Sequence, residues 1–296
     1  MPETGWPAAL DALLADFSLD VSTGKDPGEL AQARALTAPG TRVHVGFVDG
    51  EDLATPVSAA RALRQSGFVP VPIIAARRLG SPRVLREYLA RLQAADAGRS
   101  VLVVGGDPAG PQGPYPDAAS VIGSGLLEDH GVADVSVVGH PGGHPAVADG
   151  MLWSALAGKA SALERRGLSG SVITQFGFDA TLVLAWLAGL RARALSLPVR
   201  VGVPGPATVG RLMAYASRCG VTVTPGSARD YGISPADPTA TAGPDLFIRA
   251  LAAGYDARAH GEVKLHFYPF GGIAAMATWI NGFRGCLKEH TDDRHG

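Results

Sequence analysis

The chain has 296 residues, of which 46% are hydrophobic and 18% charged, and its formal net charge is −1. Without a long basic or acidic run, this balance indicates no nucleic-acid or anionic-membrane partner. No apolar run approaches the roughly 20 residues of a membrane span. The N-terminus lacks the basic and apolar regions of a signal peptide. The only two cysteines, Cys219 and Cys286, form no CxxC motif and indicate free thiols in the cytoplasm.

The first half of the chain alternates between predicted strands and predicted helices. The strands show period-two or continuous apolar patterns, and the helices show alanine and leucine at helical spacing. We predict strands at 16–22, 42–48, 68–76 and 100–105. We predict a turn at 24–27 and helices at 28–36, 55–65 and 82–95. Ser81 is expected to cap the last of these helices at its N-terminus.

The second half repeats the cycle. Predicted strands span 135–139, 171–175, 199–203 and 263–268. Predicted helices span 117–127, 151–166, 180–193, 209–219, 244–253 and 273–287. Gly167 is in the expected C-cap position of one helix. Residues 220–243 are rich in Pro, Gly, Ser and Thr, which predicts a long excursion from the regular pattern.

Eight strands separated by helices predict a parallel sheet, and eight such units favour a closed barrel. We therefore predict a single (β/α)8 TIM-barrel domain spanning 1–296, with an open doubly wound sheet as the alternative. No linker or internal repeat divides the chain.

Polar and glycine-rich clusters follow the last five predicted strands. They are residues 105–108, 139–145, 174–175, 202–206 and 266–272. Because barrel enzymes place their chemistry at the carboxyl ends of the strands, we predict one site on this rim. The alternative interpretation is that these clusters only form tight turns.

Several familiar sites are absent from the sequence. It contains no GxxxxGK[ST] loop, no GxGxxG after the first strand and no GxSxG elbow. Four residues carry side chains of the types that bind metals: Asp107, His140, His144 and His266. No three of them have the spacing of a usual metal-binding motif, so we predict no metal. Glycine beside histidine in 139–145 lets the backbone approach a bulky cofactor closely.

Gln175 ends the sixth predicted strand, where its amide is expected to be partly buried. A buried amide needs partners for both its donor and its acceptor, and a planar pterin offers both. The other interpretation is that Gln175 satisfies local backbone groups.

With these residues the chain resembles the methylenetetrahydrofolate reductase family of flavoenzymes, over almost its whole length. Gly106-Asp107-Pro108 resembles the family's aspartate after strand four. Residues 139–145 resemble its flavin loop. Residues 173–179 resemble its folate-binding glutamine motif, and 265–268 its last strand. Among the family's branches, the sequence looks closer to those of one-carbon catabolism and demethylation.

The resemblance implies an oxidoreductase that interconverts 5,10-methylenetetrahydrofolate and 5-methyltetrahydrofolate through bound FAD, with NADH or NADPH as co-substrate. Asp20 corresponds to the family's general acid, which is a glutamate, and Asp107 to its second catalytic carboxylate. The implied substrate-binding residues are Asp107, Gln175, Phe176 and Tyr268. The implied cofactor-binding residues are Gly106, Asp107, His140, Gly143, His144 and Lys159.

The chain departs from the family pattern around the flavin. Ile73 and Gly142 stand where the family often has polar residues, and Lys159 is out of the simplest register with the family's lysine. These departures predict an FAD that binds but is easily lost. They also leave two alternatives, a flavin-independent reductase and a non-redox folate-binding barrel. Proline-dehydrogenase-like oxidation and metal-assisted hydrolysis share the fold but not the motifs. The apolar helices are compatible with a homo-oligomer.

Overall fold

The structure, a computed structural model, describes residues 6–21, 27–46 and 52–292. Its main feature is a sheet of parallel strands: β1 (Ser18–Val21), β2 (Arg42–Val45), β3 (Val69–Ala75), β4 (Ser100–Val104), β5 (Asp134–Gly139), β6 (Ser169–Thr174), β7 (Val199–Pro204) and β8 (Val263–Tyr268). The sheet closes in the order β1-β8-β7-β6-β5-β4-β3-β2. The predicted (β/α)8 barrel is therefore confirmed, and the open doubly wound alternative is wrong.

Helices cover the outside of the barrel. Those of the described residues are Trp6–Leu14, Pro27–Leu36, Ala54–Gln65, Pro82–Ala94, Ala118–Ile122, Leu126–Asp129, Asp149–Arg166, Ala180–Ala192, Val209–Arg218, Pro225–Asp230, Asp245–Gly254, Ala257–His260 and Ile273–Asp292. Their buried apolar residues pack on the outward side chains of the strands in one large core. The predicted caps are confirmed: Ser81 Oγ accepts from Val84 N at 3.3 Å, and Gly167 has a φ of +63°.

Some predicted boundaries differ from the structure. The helix Trp6–Leu14 was not predicted. The helix predicted at 117–127 breaks at residues 123–125, where Gly125 takes a φ of +83°. The last helix continues to Asp292, beyond its predicted end at 287. Part of the predicted turn at 24–27 and the end of the strand predicted at 42–48 lie outside the described residues.

The excursion predicted at 220–243 contains regular structure. Pro225–Asp230 is a short helix, capped where Thr224 Oγ1 accepts from Ser227 N at 3.1 Å. Thr241–Ala242 pairs antiparallel with Ala207–Thr208, which follow β7. This pairing ties the excursion to the end of the barrel where the strands finish.

The barrel interior has an apolar half and a polar half. Strands β3 to β6 fill one half with apolar side chains: Val71, Ile73, Leu102, Val104, Val138 and Ile173. Strands β1, β2 and β8 fill the other with polar residues. Ser18 Oγ lies 2.8 Å from His266 Nδ1, and the His266 and His44 rings meet edge to face at 4.7 Å.

Arg200 on β7 closes the polar half near the start of the strands. It is only 9% exposed, and its guanidinium is 2.6 Å from an Asp16 carboxylate oxygen. Arg42 binds the same oxygen at 2.8 Å. The ion pairs therefore secure the end of the barrel away from the predicted site.

No helix among the described residues combines the length and apolar character needed to cross a bilayer. Cys219 is a free, half-buried thiol, and the side chain of Cys286 lies outside the described residues.

Candidate functional site

A cleft of about 1050 Å³ opens at the carboxyl ends of the barrel strands. Its lining includes Asp20, Asp107, His144, Gln175 and Tyr268, which come from five different strand ends. The structure thus brings members of four of the five predicted polar clusters to one rim, whereas His266 of the last cluster lies inside the barrel.

Asp20 lies on β1, in register with His44 of β2. The residue is partly exposed to the cleft, and burial within the barrel raises the pKa of its carboxyl from 3.8 to about 7. Desolvation disfavours the charged form, so the group keeps its proton at higher pH. A carboxyl with this pKa can donate a proton near neutrality.

Tyr268 ends β8 and lines the cleft together with Asp20. Its hydroxyl donates to the carbonyl oxygen of Thr174 at 3.2 Å. Burial, and then the charges of Asp20 and Cys219, raise its pKa above the ordinary value. The hydroxyl therefore stays protonated, and its proton is engaged by the backbone.

Gln175 follows β6 immediately, and its backbone N–H donates to the carbonyl of Gly139 at 2.9 Å. Its side-chain Oε1 accepts from the N–H of Phe176 at 3.1 Å. The interpretation that Gln175 satisfies local backbone groups is therefore correct for its side-chain oxygen. The amide NH₂ has no hydrogen-bond partner among the described residues, and the residue lines the cleft.

Phe176 is 3% exposed. It packs edge to face on Tyr268 at 5.5 Å and on Phe270 at 5.0 Å. Its packing orients two of the aromatic side chains that line the cleft.

The loop after β5 carries the two predicted histidines. Its turn depends on Gly143, which has a φ of +78°. The rings of His140 and His144 meet edge to face at 5.4 Å. Burial lowers the pKa of His140 to about 4, with further contributions from Lys159 and His144. His140 is therefore neutral at physiological pH, and His144 is exposed on the rim.

Asp107 and Gly106 lie in the turn after β4, where Gly106 has a φ of +92°. The Asp107 side chain is 94% exposed, and one carboxylate oxygen is 3.4 Å from the guanidinium of Arg78. This carboxylate is placed to accept hydrogen bonds from a ligand that enters the cleft.

Lys159 occupies a different environment from the other predicted residues. It projects from the helix Asp149–Arg166, and its Nζ donates to the carbonyl of Val138 at 2.7 Å. Burial lowers its pKa to about 8. It lines neither the cleft nor the smaller pocket beside it.

The smaller pocket, of about 90 Å³, adjoins the cleft. It lies between the histidine loop, the start of the helix Ala180–Ala192 and the beginning of the excursion. His144, Gln175, Cys219 and Gly220 line both spaces. The excursion is thus a wall of the site.

Several residues of the site were not predicted from the sequence. Arg211, Tyr215 and Arg218 line the cleft from the helix Val209–Arg218. Their i, i+4, i+7 spacing was a visible signal that they share a helix face. Nothing local in the sequence indicated that this face turns toward the rim.

The histidines do not converge as metal ligands. His266 is buried in the barrel interior at 1% exposure, whereas His144 is on the rim. Among the described residues, no group of three His, Cys, Asp or Glu side chains is placed to hold a metal ion.

No protein-family model matches this chain. An uncharacterized protein from Clostridium thermocellum that binds two copies of 5-methyl-5,6,7,8-tetrahydrofolic acid has a TM-score of 0.56 at 8% identity, over 92% of this chain and 97% of that chain. Dihydropteroate synthase from Thermus thermophilus has a TM-score of 0.47 at 16% identity, over 93% and 95%. Tryptophan synthase from M. tuberculosis has a TM-score of 0.48 at 14% identity, over 95% and 96%. At these identities, the likeness to the Clostridium protein shows a shared barrel fold.

Proposed function

We propose that this protein is an oxidoreductase that interconverts 5,10-methylenetetrahydrofolate and 5-methyltetrahydrofolate, with NADH or NADPH as hydride donor or acceptor. The observation that carries this proposal is that Asp20, Gln175 and Tyr268 open onto one large cleft at the carboxyl rim of the barrel. A barrel of the same fold from Clostridium thermocellum binds 5-methyltetrahydrofolate, so the fold can accommodate such a ligand. The sequence resemblance to methylenetetrahydrofolate reductases supplies the reaction.

Asp20 is the proposed general acid. Opening the five-membered ring of the methylene folate expels an amine, which leaves more readily when it is protonated. The pKa of Asp20, near 7, keeps a proton available for this step at neutral pH. In the reverse direction the same carboxylate accepts that proton.

Gln175 and Asp107 are the proposed pterin-binding groups. The unpartnered NH₂ of Gln175 can donate to a pterin acceptor while its Oε1 stays on the backbone of Phe176. The exposed Asp107 carboxylate can accept from the pterin's N–H groups.

Two hydride routes remain within this proposal. In the first, FAD carries the hydride between nicotinamide and folate, as the sequence resemblance implies. In the second, nicotinamide and folate exchange hydride directly. The second is favoured by the position of Lys159, which the resemblance assigns to FAD but which lines neither the cleft nor the smaller pocket.

The test is turnover of 5,10-methylenetetrahydrofolate with NADH or NADPH, together with the absorbance spectrum of the purified protein. The proposal predicts formation of 5-methyltetrahydrofolate. Turnover that requires FAD and is accompanied by bound flavin absorbance identifies the first route. Turnover by protein with no bound flavin, even after FAD is added, identifies the second. Folate binding without turnover under either condition would contradict the redox function and identify a folate-binding barrel.

A further inference from the structure

One wall of the cleft combines cationic and aromatic side chains. Arg211, Tyr215 and Arg218 line it from a single face of the helix Val209–Arg218. Tyr215 stacks on Phe270, with ring centroids 4.0 Å apart and planes 9° from parallel. The opposite face of the helix, with Leu212 fully buried, holds it against the core.

The charges in this cleft are not balanced. Among the described residues, Arg211 and Arg218 form no ion pair, whereas the Asp107 carboxylate is 3.4 Å from Arg78. Asp20 is partly protonated at neutral pH because its pKa is about 7. The helix wall therefore carries positive charge that the other cleft residues do not neutralise, and a wall of this kind attracts anions.

The arrangement suits a flat ligand with a carboxylate tail. Gln175 and Asp107, which follow β6 and β4, offer hydrogen bonds to a heterocycle. The Tyr215–Phe270 pair offers aromatic surface for a second ring. The planar guanidinium groups match carboxylates in a two-bond geometry.

We infer that Arg211 and Arg218 bind the glutamate carboxylates of a folate, with its benzoyl ring against Tyr215 and Phe270. This assignment rests on the folate function proposed above. The two arginines are seven residues apart, about 10 Å along the helix axis. A γ-linked tail of several glutamates can therefore engage both guanidinium groups more completely than a single glutamate can.

Calorimetric titration of the full chain provides the test. The ligands are the monoglutamate and triglutamate forms of 5-methyltetrahydrofolate, 6-methyltetrahydropterin, which has no tail, and ADP-ribose. The variants are the double substitution Arg211→Met with Arg218→Met, and the control Arg229→Met. Arg229 is an exposed arginine of the excursion that lines neither the cleft nor the smaller pocket.

We expect the double variant to bind the monoglutamate about 10- to 100-fold more weakly, because hydrogen bonds to charged groups are lost. Its preference for the triglutamate should disappear, while its affinity for the tailless pterin stays unchanged. The control variant should match the wild-type protein with every ligand, and circular dichroism should show both variants folded.

Three results would overturn the inference in distinguishable ways. If the wild-type protein binds folate and the double variant keeps its affinity and tail-length preference, the inference is wrong and the proposed function stands. If the variant loses affinity for ADP-ribose alone, the arginines bind a nucleotide pyrophosphate rather than the folate tail. If the wild-type protein binds no form of folate, the proposed function fails together with the inference.

Discussion

Asp20 is the residue on which the proposed chemistry depends most. Asp20→Asn keeps the size of the side chain but removes its proton. We expect reductive turnover of methylenetetrahydrofolate to fall by about 10²-fold or more, the usual weight of general acid catalysis. Folate binding should change little, because the acid acts in ring opening. Steady-state kinetics with a separate binding measurement would test this.

Asp20→Glu and the pH profile supply the controls. The longer carboxylic acid should retain activity if the carboxyl group does the work. Because an acid must be protonated to donate, wild-type reductive turnover should decline as the pH rises through about 7. The residual activity of Asp20→Asn should not show this decline with rising pH. Equal loss of activity and folate binding in Asp20→Asn would indicate a structural role instead.

Gln175 is held by its own backbone on one side and offers its NH₂ to the cleft on the other. Gln175→Met keeps the length and removes the polar amide. We expect folate to bind with about 1–3 kcal/mol less free energy, since a pterin group loses its partner. Flavin content should stay the same. An unchanged folate affinity would show that the amide serves only the Phe176 N–H.

At the scale of the element, the end of β5 requires glycine at one position and tolerates a side chain three residues later. A Cβ on Gly139 would lie 2.7 Å from the Trp186 ring and 2.8 Å from Val172. A Cβ on Gly142 would meet nothing within 4 Å. The strand end is therefore packed directly against the helix Ala180–Ala192, while the loop tip is open.

This difference predicts opposite outcomes for two alanine substitutions. Gly139→Ala should lower the free energy of unfolding by about 1–3 kcal/mol, the usual cost of overpacking. Gly142→Ala should be neutral or slightly stabilising, because alanine restricts the unfolded chain. Urea denaturation of both variants would test this. Similar stabilities would mean that β5 and the helix can separate without cost.

The strands and the rim clusters were predictable because their signals are local. Apolar runs such as 199–203 and turns such as Gly106-Asp107 can be recognised from a few consecutive residues. The strand pairing in the excursion was not predictable from local signals, because Thr241–Ala242 pairs with residues more than thirty positions earlier in the chain. The helix wall of the cleft could not be predicted either. A helix face that carries Arg211 and Arg218 is equally compatible with exposure to bulk solvent, so only the tertiary structure shows that it faces the cleft.

At the scale of the whole molecule, the barrel interior departs from what its strands suggested. His44 and His266 are each 1% exposed inside the barrel, whereas the sequence pattern predicted His266 at the rim, in the cluster 266–272. Their placement follows from barrel closure, which makes β1 a neighbour of β8. Sequence alone does not show which strands meet across that seam. The two neutral histidines contact each other, and His44 is in register with the proposed acid.

These histidines should make the protein sensitive to acid. The pKa of His266 falls from 6.5 to about 3, first through burial and then through the charge of Arg200. Burial lowers the pKa of His44 well below its ordinary value too. The unfolded chain gains these protons as the pH falls through 6.5, and the folded chain does not. Stability is therefore lost with falling pH, by about 2–3 kcal/mol for such a histidine by about pH 4.5.

Asp20 acts in the opposite direction. Its pKa is about 7 in the folded protein and 3.8 ordinarily, so on acidification the folded chain binds this proton before the unfolded chain does. Falling pH from about 7 to 4 thus adds stability through Asp20 while it removes stability through the histidines. We expect Asp20→Asn to lose more stability than wild type over this interval, and His266→Gln to lose less. Urea denaturation at a series of pH values would measure the three slopes. If His266→Gln had the wild-type slope, His266 would not be a neutral group buried in the folded barrel.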